Sequence, residues 1–95
     1  MPFYVYILSN TRRGVLYTGV TSDLVRRAFE HRERFVAGFA ERHGATRLVY
    51  FECHETAEAA ITREKAIKRW RRAWKFELVE SGNPDWEDLW GQITG

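Results

Sequence analysis

The sequence has little of what secreted, membrane-spanning or zinc-stabilised proteins depend on. Its single cysteine, Cys53, excludes an internal disulfide bond and is typical of a protein in a reducing cytoplasm. No apolar stretch approaches the roughly 20 residues of a membrane span, and no secretory signal follows Met1-Pro2. His43 and His54 lack metal-ligand spacing with Cys53, which argues against a structural zinc site. We therefore expect a cytoplasmic protein without a membrane segment.

Basic residues are absent from the end of the chain and concentrated just before it. After Lys75 the sequence contains no lysine or arginine, although acidic residues continue. The block at 63–75, just before this acidic end, contains one acidic residue, Glu64. Its basic residues are Arg63, Lys65, Lys68, Arg69, Arg71, Arg72 and Lys75. Such a block can bind a polyanion. It can equally be a solvated helix face that pairs with the acidic tail.

Length and patterning predict one small domain that contains both strands and helices. A chain of 95 residues that is 44% hydrophobic has room for one core, and we expect residues 1–95 to form a single domain. Runs of β-branched and aromatic residues, helix caps and helix-breaking residues define the elements. The predicted strands are 3–8, 15–20 and 47–52, the predicted helices are 23–36, 57–72 and 74–80, and a last turn covers 85–90.

The first two strands carry tyrosines that a hairpin can bring together. If Leu8 pairs with Val15 across the turn, Tyr6 lies opposite Tyr17 on one face of the sheet. A slip of one residue would place the two rings on opposite faces, so the prediction depends on register. Each tyrosine alone can equally fill a half-buried strand face. Gly19 either lets a phosphate approach the backbone closely or simply ends the strand.

The first predicted helix adds a guanidinium and an imidazole beside these strands. Arg27 and His31 are four residues apart, so they stack on one flank of the apolar stripe, at the boundary between core and solvent. Arg27 can instead lay its stem over the core with its charge in water, and His31 can be a boundary residue with a satisfied ring. Together with the tyrosines they form a set of groups that can handle a phosphate.

Glu64 falls in the middle of the apolar face of the second predicted helix. That face consists of Ala57, Ala60, Ile61 and Ile67. A carboxylate there is costly unless it is paired or binds a cation. It can pair with Arg27 or Lys68, or it can be an oxygen ligand for Mg²⁺, which uses one or two carboxylates together with waters and phosphate oxygens.

The tryptophans of the second half of the chain have two interpretations. Trp70, Trp74, Trp86 and Trp90 lie near or among the arginines, so they can stack on unpaired bases. They can also fill the core of a small domain. We predict core or lid packing for Trp74 and Trp86, and both interpretations stay open for Trp70.

Taken as a set with this spacing, these residues resemble the GIY-YIG nuclease domain. The likeness is closest to the small stand-alone bacterial members, the YhbQ-like (UPF0213) group, and it covers nearly the whole chain. The residues that carry it are Tyr4-Val5-Tyr6, Tyr17-Thr18-Gly19, Arg27, His31 and Glu64. Tyr4 and Val5 replace the glycine and isoleucine of the first name-giving triplet, and Thr18 replaces the isoleucine of the second.

The resemblance implies a small three-stranded antiparallel sheet flanked by helices, in the order β-β-α-β-α-α. It also implies hydrolysis of DNA phosphodiester bonds assisted by one divalent metal, Mg²⁺ or Mn²⁺. Carried over by position, Tyr6 and Tyr17 are the paired tyrosines, Arg27 is the catalytic arginine, and His31 assists at the nucleophile. Glu64 is the metal ligand. Tyr6 is the candidate general base, and we expect the metal and Arg27 to lower its pKa.

The combined prediction is a magnesium-dependent DNA endonuclease of low sequence specificity that acts on structured or damaged DNA, as in DNA repair. The residues predicted to bind DNA are Lys68, Arg69, Arg71 and Arg72. One alternative is a non-catalytic nucleic-acid-binding module that retains the nuclease fold. Another is a protein-interaction module that uses the tryptophan-rich, acidic end of the chain.

Overall fold

A three-stranded antiparallel sheet flanked by helices confirms the predicted α+β fold class. The structure is a computed structural model that describes residues 2–34, 38 and 42–95. The strands are β1 (Phe3–Ser9), β2 (Leu16–Thr21) and β3 (Arg47–His54), and β1 is the central strand. The helices of the described residues are α1 (Leu24–Arg32), α2 (Ala57–Arg69), α3 (Arg72–Gly82) and α4 (Trp90–Thr94). None of the helices in these ranges is long and apolar enough to cross a membrane.

The hairpin of β1 and β2 has a different register from the predicted one. Leu8 lies opposite Tyr17 rather than Val15, and Tyr6 lies opposite Gly19. The predicted pairing of Tyr6 with Tyr17 is therefore wrong. Val15 stays in the turn because its N–H donates a hydrogen bond of 2.9 Å to the side-chain oxygen of Asn10, at the start of the turn. The shift is by two residues, so both tyrosine rings still project from the same face.

The side chains of β1 alternate between two packed layers. Val5 and Ile7 belong to a core that includes residues of α2 and α3. Tyr6 and Leu8 face the other way and pack with Leu24 of α1. Both faces of the central strand are therefore covered, and Tyr6 lies in the layer that contains α1.

Helix α1 begins as predicted and ends early. The Asp23 side chain caps the helix by accepting a hydrogen bond from the N–H of Arg26 at 3.1 Å. The helix ends at Arg32 because Arg34, two residues further on, has a left-handed φ of 60° that an α-helix does not continue through. The predicted end at Val36 lies outside the described residues.

Helices α2 and α3 are separated by a sharp elbow formed by Trp70 and Arg71. Thr56 caps α2 as predicted, since its hydroxyl accepts a hydrogen bond from a backbone N–H of the first turn. The helix ends at Arg69 rather than 72 because Trp70 is extended, with a ψ of 153°. The next helix accordingly starts at Arg72 rather than 74. We call Trp70 and Arg71 the α2–α3 elbow.

The segment after α3 is fastened to the sheet by Asn83 and Trp86. The Asn83 amide donates to the carbonyls of Val49 (3.0 Å) and Glu87 (2.9 Å), and its oxygen accepts from the N–H of Glu87 (3.0 Å). Trp86 is fully buried, which confirms its predicted core packing. The sequence predicts a last turn at 85–90. In the structure a short helix, α4, begins at the final residue of that range.

Candidate active site

Tyr6, Tyr17, Arg27 and His31 lie together on the face of the sheet that carries α1, and we call them the tyrosine cluster. The ring centroids of Tyr6 and Tyr17 are 6.3 Å apart, and those of Tyr17 and His31 are 5.3 Å apart. Arg27 joins the group through its Nε atom, which donates to the Tyr6 hydroxyl at 3.4 Å. The strand pair and one helix therefore bring together four of the five predicted catalytic residues.

The Tyr6 hydroxyl connects the guanidinium to the imidazole. A guanidinium can only donate hydrogen bonds, so the Tyr6 oxygen accepts from Arg27 and its own O–H is available to His31 Nε2, 3.4 Å away. His31 is buried rather than at the predicted boundary. Burial and the charge of Arg27 lower the pKa of His31, so the ring is neutral near pH 7 and can accept that hydrogen bond.

Tyr6 is a protonated phenol in this arrangement. Its side chain is only 2% exposed, and burial raises its pKa to about 12, although the hydrogen bond from Arg27 acts in the opposite direction. The expected lowering of this pKa by Arg27 is therefore outweighed by burial. A lone Tyr6 phenolate is not the resting base of the site.

Arg27 is held by a residue that the sequence analysis did not single out. Its Nη1 atom pairs with Glu30 at 3.3 Å, and Arg26 pairs with the same carboxylate at 3.6 Å. The spacings i,i+3 and i,i+4 on one helix are the signal that could have identified Glu30. Part of the Arg27 side chain remains in solvent, where it lines a concavity of about 430 Å³ at the junction of β2 and α1.

Gly19 is required by the ring of Tyr6, which lies where a side chain at this position would be. A Cβ atom at this position would lie 2.4 Å from the Tyr6 hydroxyl oxygen and 2.5 Å from its Cζ atom. No carbon tolerates such distances, so an added Cβ would force the buried ring to shift. The absent side chain of Gly19 therefore sets the position of the phenol that Arg27 and His31 contact.

Gly19→Ala is accordingly expected to destabilise the protein by about 1–3 kcal/mol, the usual cost of overpacking a core. Thermal unfolding followed by circular dichroism should show a fall of several degrees in Tm. Gly82→Ala is the matched control, since a Cβ there meets nothing within 4 Å, and its Tm should be unchanged or slightly higher. Equal Tm values for Gly19→Ala and the unmodified chain would contradict the contact with Tyr6.

Glu64 lies on α2, which packs on the opposite face of the sheet. It is 9% exposed, as its place among the apolar residues predicted. Of the two predicted ion-pair partners it takes Lys68, one helical turn further along α2, with Nζ 2.8 Å from Oε2. The negative charge of Glu64 contributes to the raised pKa of Tyr6, so the carboxylate lies within electrostatic range of the tyrosine cluster. Ile61, predicted on the same apolar face, is exposed instead.

The donor set around Glu64 fits a metal that the substrate helps to hold. Within residues 2–34, 38 and 42–95 no group of three or more His, Cys, Asp or Glu side chains could form a complete protein cage. A single buried carboxylate could supply one oxygen ligand to Mg²⁺, which takes one or two carboxylates and completes its shell with waters and phosphate oxygens. Here the Lys68 ammonium is paired with that carboxylate.

The residues predicted to bind DNA do not form one uniform surface. Lys68 is paired with Glu64, and Arg69 is exposed. Arg72 fastens α3 to the hairpin turn by donating to two carbonyl oxygens there, that of Arg13 at 3.0 Å and that of Gly14. The remaining member of the set, Arg71, lies against the ring of Trp74.

That tryptophan, Trp74, is not packed in the core. Its side chain is 49% exposed, so the predicted core or lid packing is wrong. Trp70 is only partly exposed and packs against the core, and the two rings meet edge to face with centroids 6.3 Å apart.

Comparison with known proteins gives one consistent result. The GIY-YIG catalytic domain matches residues 2–77. A UPF0213 protein of Haloquadratum walsbyi is 40% identical over 79 residues, which are 83% of this chain and 88% of that protein. A UPF0213 protein of Clostridium perfringens is 38% identical over 78 residues, 82% of this chain and 83% of its own. The solution NMR structure of a UPF0213 protein from Bacillus halodurans aligns with a TM-score of 0.57 and 32% identity over 94% of each chain.

Proposed function

This chain belongs to the GIY-YIG catalytic-domain family, a family of nucleases, and we propose that it is a metal-dependent endonuclease that hydrolyses DNA phosphodiester bonds. The observation that carries the proposal is the Tyr6 hydroxyl, held between the charged Arg27 and the neutral His31. A permanent cation can stabilise negative charge on a phosphate, and a proton acceptor on the same phenol can receive the proton that an attacking water loses.

The proton path follows from these hydrogen bonds. As a water oxygen bonds to phosphorus, the water gives a proton to the Tyr6 oxygen while Tyr6 gives its own proton to Nε2 of His31. The phosphorus–oxygen bond to the leaving group breaks, and that oxygen keeps the electron pair and takes a proton from solvent. The relay needs no free phenolate, which agrees with the raised pKa of Tyr6. Tyr17, whose ring contacts both partners, would orient the water.

Arg27 would stabilise the charge that develops on the phosphate. Its guanidinium is partly in solvent beside the concavity at the β2–α1 junction, and Glu30 restrains it. A planar guanidinium matches two phosphate oxygens at once, and a donor fixed before the reaction is worth most in the transition state.

Glu64 would hold the divalent ion, Mg²⁺ or Mn²⁺, once the Lys68 ammonium has moved aside. The ion, when bound, supplies positive charge that neutralises a phosphate oxygen and eases departure of the leaving group. Lys68 can move because its side chain is 52% exposed.

Low sequence specificity and structured or damaged DNA as the target are part of the proposal. The side chains of the proposed mechanism would contact phosphate and water and no base. Phosphate contacts carry no sequence information. We also propose that residues 1–95 work as one domain in the cytoplasm. Trp86 is buried in the same core as Val5 of β1, which supports a single domain. The free thiol of Cys53 supports a reducing compartment.

Purified protein should nick supercoiled plasmid and cut branched DNA with Mg²⁺ or Mn²⁺ present, and both activities should stop in EDTA. Single-stranded and linear duplex DNA of the same sequence provide the substrate comparison. Salt-dependent DNA binding without cleavage under any metal would contradict the enzyme and favour the non-catalytic binding module. Absence of any binding would favour a protein-interaction module.

A further inference from the structure

The α2–α3 elbow and one side of α3 form a cleft that the proposed chemistry does not use. Its volume is about 410 Å³, and its lining residues are Trp70, Trp74, Glu77, Leu78 and Ser81. Cavities of this size accommodate small ligands. Trp74 is 49% exposed here, so an aromatic surface is accessible to a ligand in the cleft.

The two tryptophans form a rigid corner. Trp70 packs against the core, and the guanidinium of Arg63 lies over its ring, 5.1 Å from the centroid. Arg63 is itself fixed by Glu52, whose carboxylate is 3.0 Å from its Nε atom. The ring of Trp74 meets Trp70 at 76°. One wall of the corner is thus held in place before any ligand arrives, and the other presents an aromatic surface.

Cations lie beside the cleft rather than in its lining. Arg71 lies 5.6 Å from the centroid of Trp74. On the neighbouring side of the elbow, burial and the like charges of Arg72 and Lys68 lower the pKa of Lys75. Cations that repel one another at the point where two helices meet are stabilised by a polyanion. Glu77, which lines the cleft, is the acidic exception.

We propose that this corner binds an unpaired nucleobase of a nucleic-acid strand, which stacks on Trp74 while the adjoining phosphate contacts Arg71. An aromatic wall beside an arginine is a combination that binds single strands, and the charge of Arg71 favours this occupant over an apolar protein segment. The inference rests on the proposed function and deepens it. In an intact duplex the faces of the base are already stacked, so the corner selects DNA with an unpaired segment.

Trp74→Leu tests the stacking contact in EDTA, where no cleavage can occur. Fluorescence anisotropy with a labelled single-stranded oligonucleotide should show affinity reduced by about 5- to 150-fold, the range measured for loss of one stacked base. Affinity for the matched duplex should change little. Addition of single-stranded DNA should quench the tryptophan fluorescence of the unmodified protein, and Trp74→Leu should lose most of this quenching. Trp74→Phe keeps an aromatic face and should retain most of the affinity.

Phe29→Leu is the matched control, because Phe29 is a similarly exposed aromatic residue (44%) on α1, outside the cleft. Its single-strand affinity should equal that of the unmodified protein. Unchanged single-strand binding by Trp74→Leu would overturn the proposal. So would a protein that self-associates in sedimentation analysis through Trp74 and binds DNA independently of it. Because these measurements use EDTA, failure of the stacking site is distinguishable from failure of the nuclease, which the metal-dependent cleavage assay reports.

Discussion

Arg27→Ala is expected to slow metal-dependent DNA cleavage by about 10²–10³-fold, the usual cost of removing one fixed donor from a developing anion. The guanidinium is the charged partner of the Tyr6 hydroxyl and the cation that projects beside the concavity at the β2–α1 junction. Single-turnover cleavage of nicked or branched DNA, with enzyme in excess, measures the chemical step directly.

The fold should survive this change. Arg27 is partly in solvent, and its ion pair with Glu30 is of the exposed, helix-surface kind that contributes a few tenths of a kcal/mol. The Tyr6 hydroxyl keeps His31 as a partner. Thermal unfolding of Arg27→Ala should therefore resemble that of the unmodified chain, so that lost cleavage reports chemistry and not folding.

Arg26→Ala supplies the matched control for charge. Arg26 is the preceding residue, pairs with the same Glu30 and is mostly in solvent. Its removal changes net charge identically, so cleavage should fall only a few-fold, through weaker attraction of the phosphate backbone. Arg27→Lys should restore little, because an ammonium lacks the planar fork. Equal losses in Arg26→Ala and Arg27→Ala would mean that only general electrostatics is at work, and undiminished cleavage by Arg27→Ala would indicate a contaminating nuclease.

Local chemistry explains why the order of the elements was predictable and why their pairing was not. Asp23 and Thr56 cap helices where the sequence placed caps, because a cap is a contact within one turn of the chain. The hairpin register depended instead on one side-chain hydrogen bond that keeps Val15 in the turn. Strand propensity carries no information about such a bond.

The same distinction applies to the candidate site: local patterns predicted some of its features, and contacts between distant parts of the chain decided the others. The 3.6-residue period correctly placed Glu64 among buried residues, but the sequence left its partner open between Lys68, on the same helix, and Arg27, on another. Trp74 was mispredicted for a different reason. The extended backbone at Trp70 ends α2 and starts a new helix with its own phase, so faces predicted before the elbow do not continue beyond it.

Glu64→Gln is expected to abolish the effect of Mg²⁺ and Mn²⁺ on both cleavage and stability. Glutamine keeps the shape of the side chain but removes the charge that a hard cation needs. The unmodified protein should unfold at a higher temperature when the metal is added with a non-cleavable phosphodiester, because a ligand that binds only the folded state stabilises it. Glu64→Gln should show no such rise and should cleave DNA about 10²–10³-fold more slowly at saturating metal. Glu58→Gln, an exposed carboxylate on the same helix, is the matched control and should behave as the unmodified chain.

Lys68→Met tests whether the ammonium and the metal compete for the same carboxylate. Without metal, Glu64 loses its partner at 2.8 Å while remaining buried, so stability should fall by about 1–3 kcal/mol. With metal, the carboxylate regains a cation without first displacing Lys68. The metal-induced rise in Tm should therefore be larger for Lys68→Met than for the unmodified chain, and calorimetric titration with Mn²⁺ should show tighter binding. Because Lys68 is also a predicted DNA contact, these readouts are chosen to be independent of cleavage. Weaker Mn²⁺ binding by Lys68→Met, or a metal-induced rise in Tm that persists in Glu64→Gln, would place the ion elsewhere.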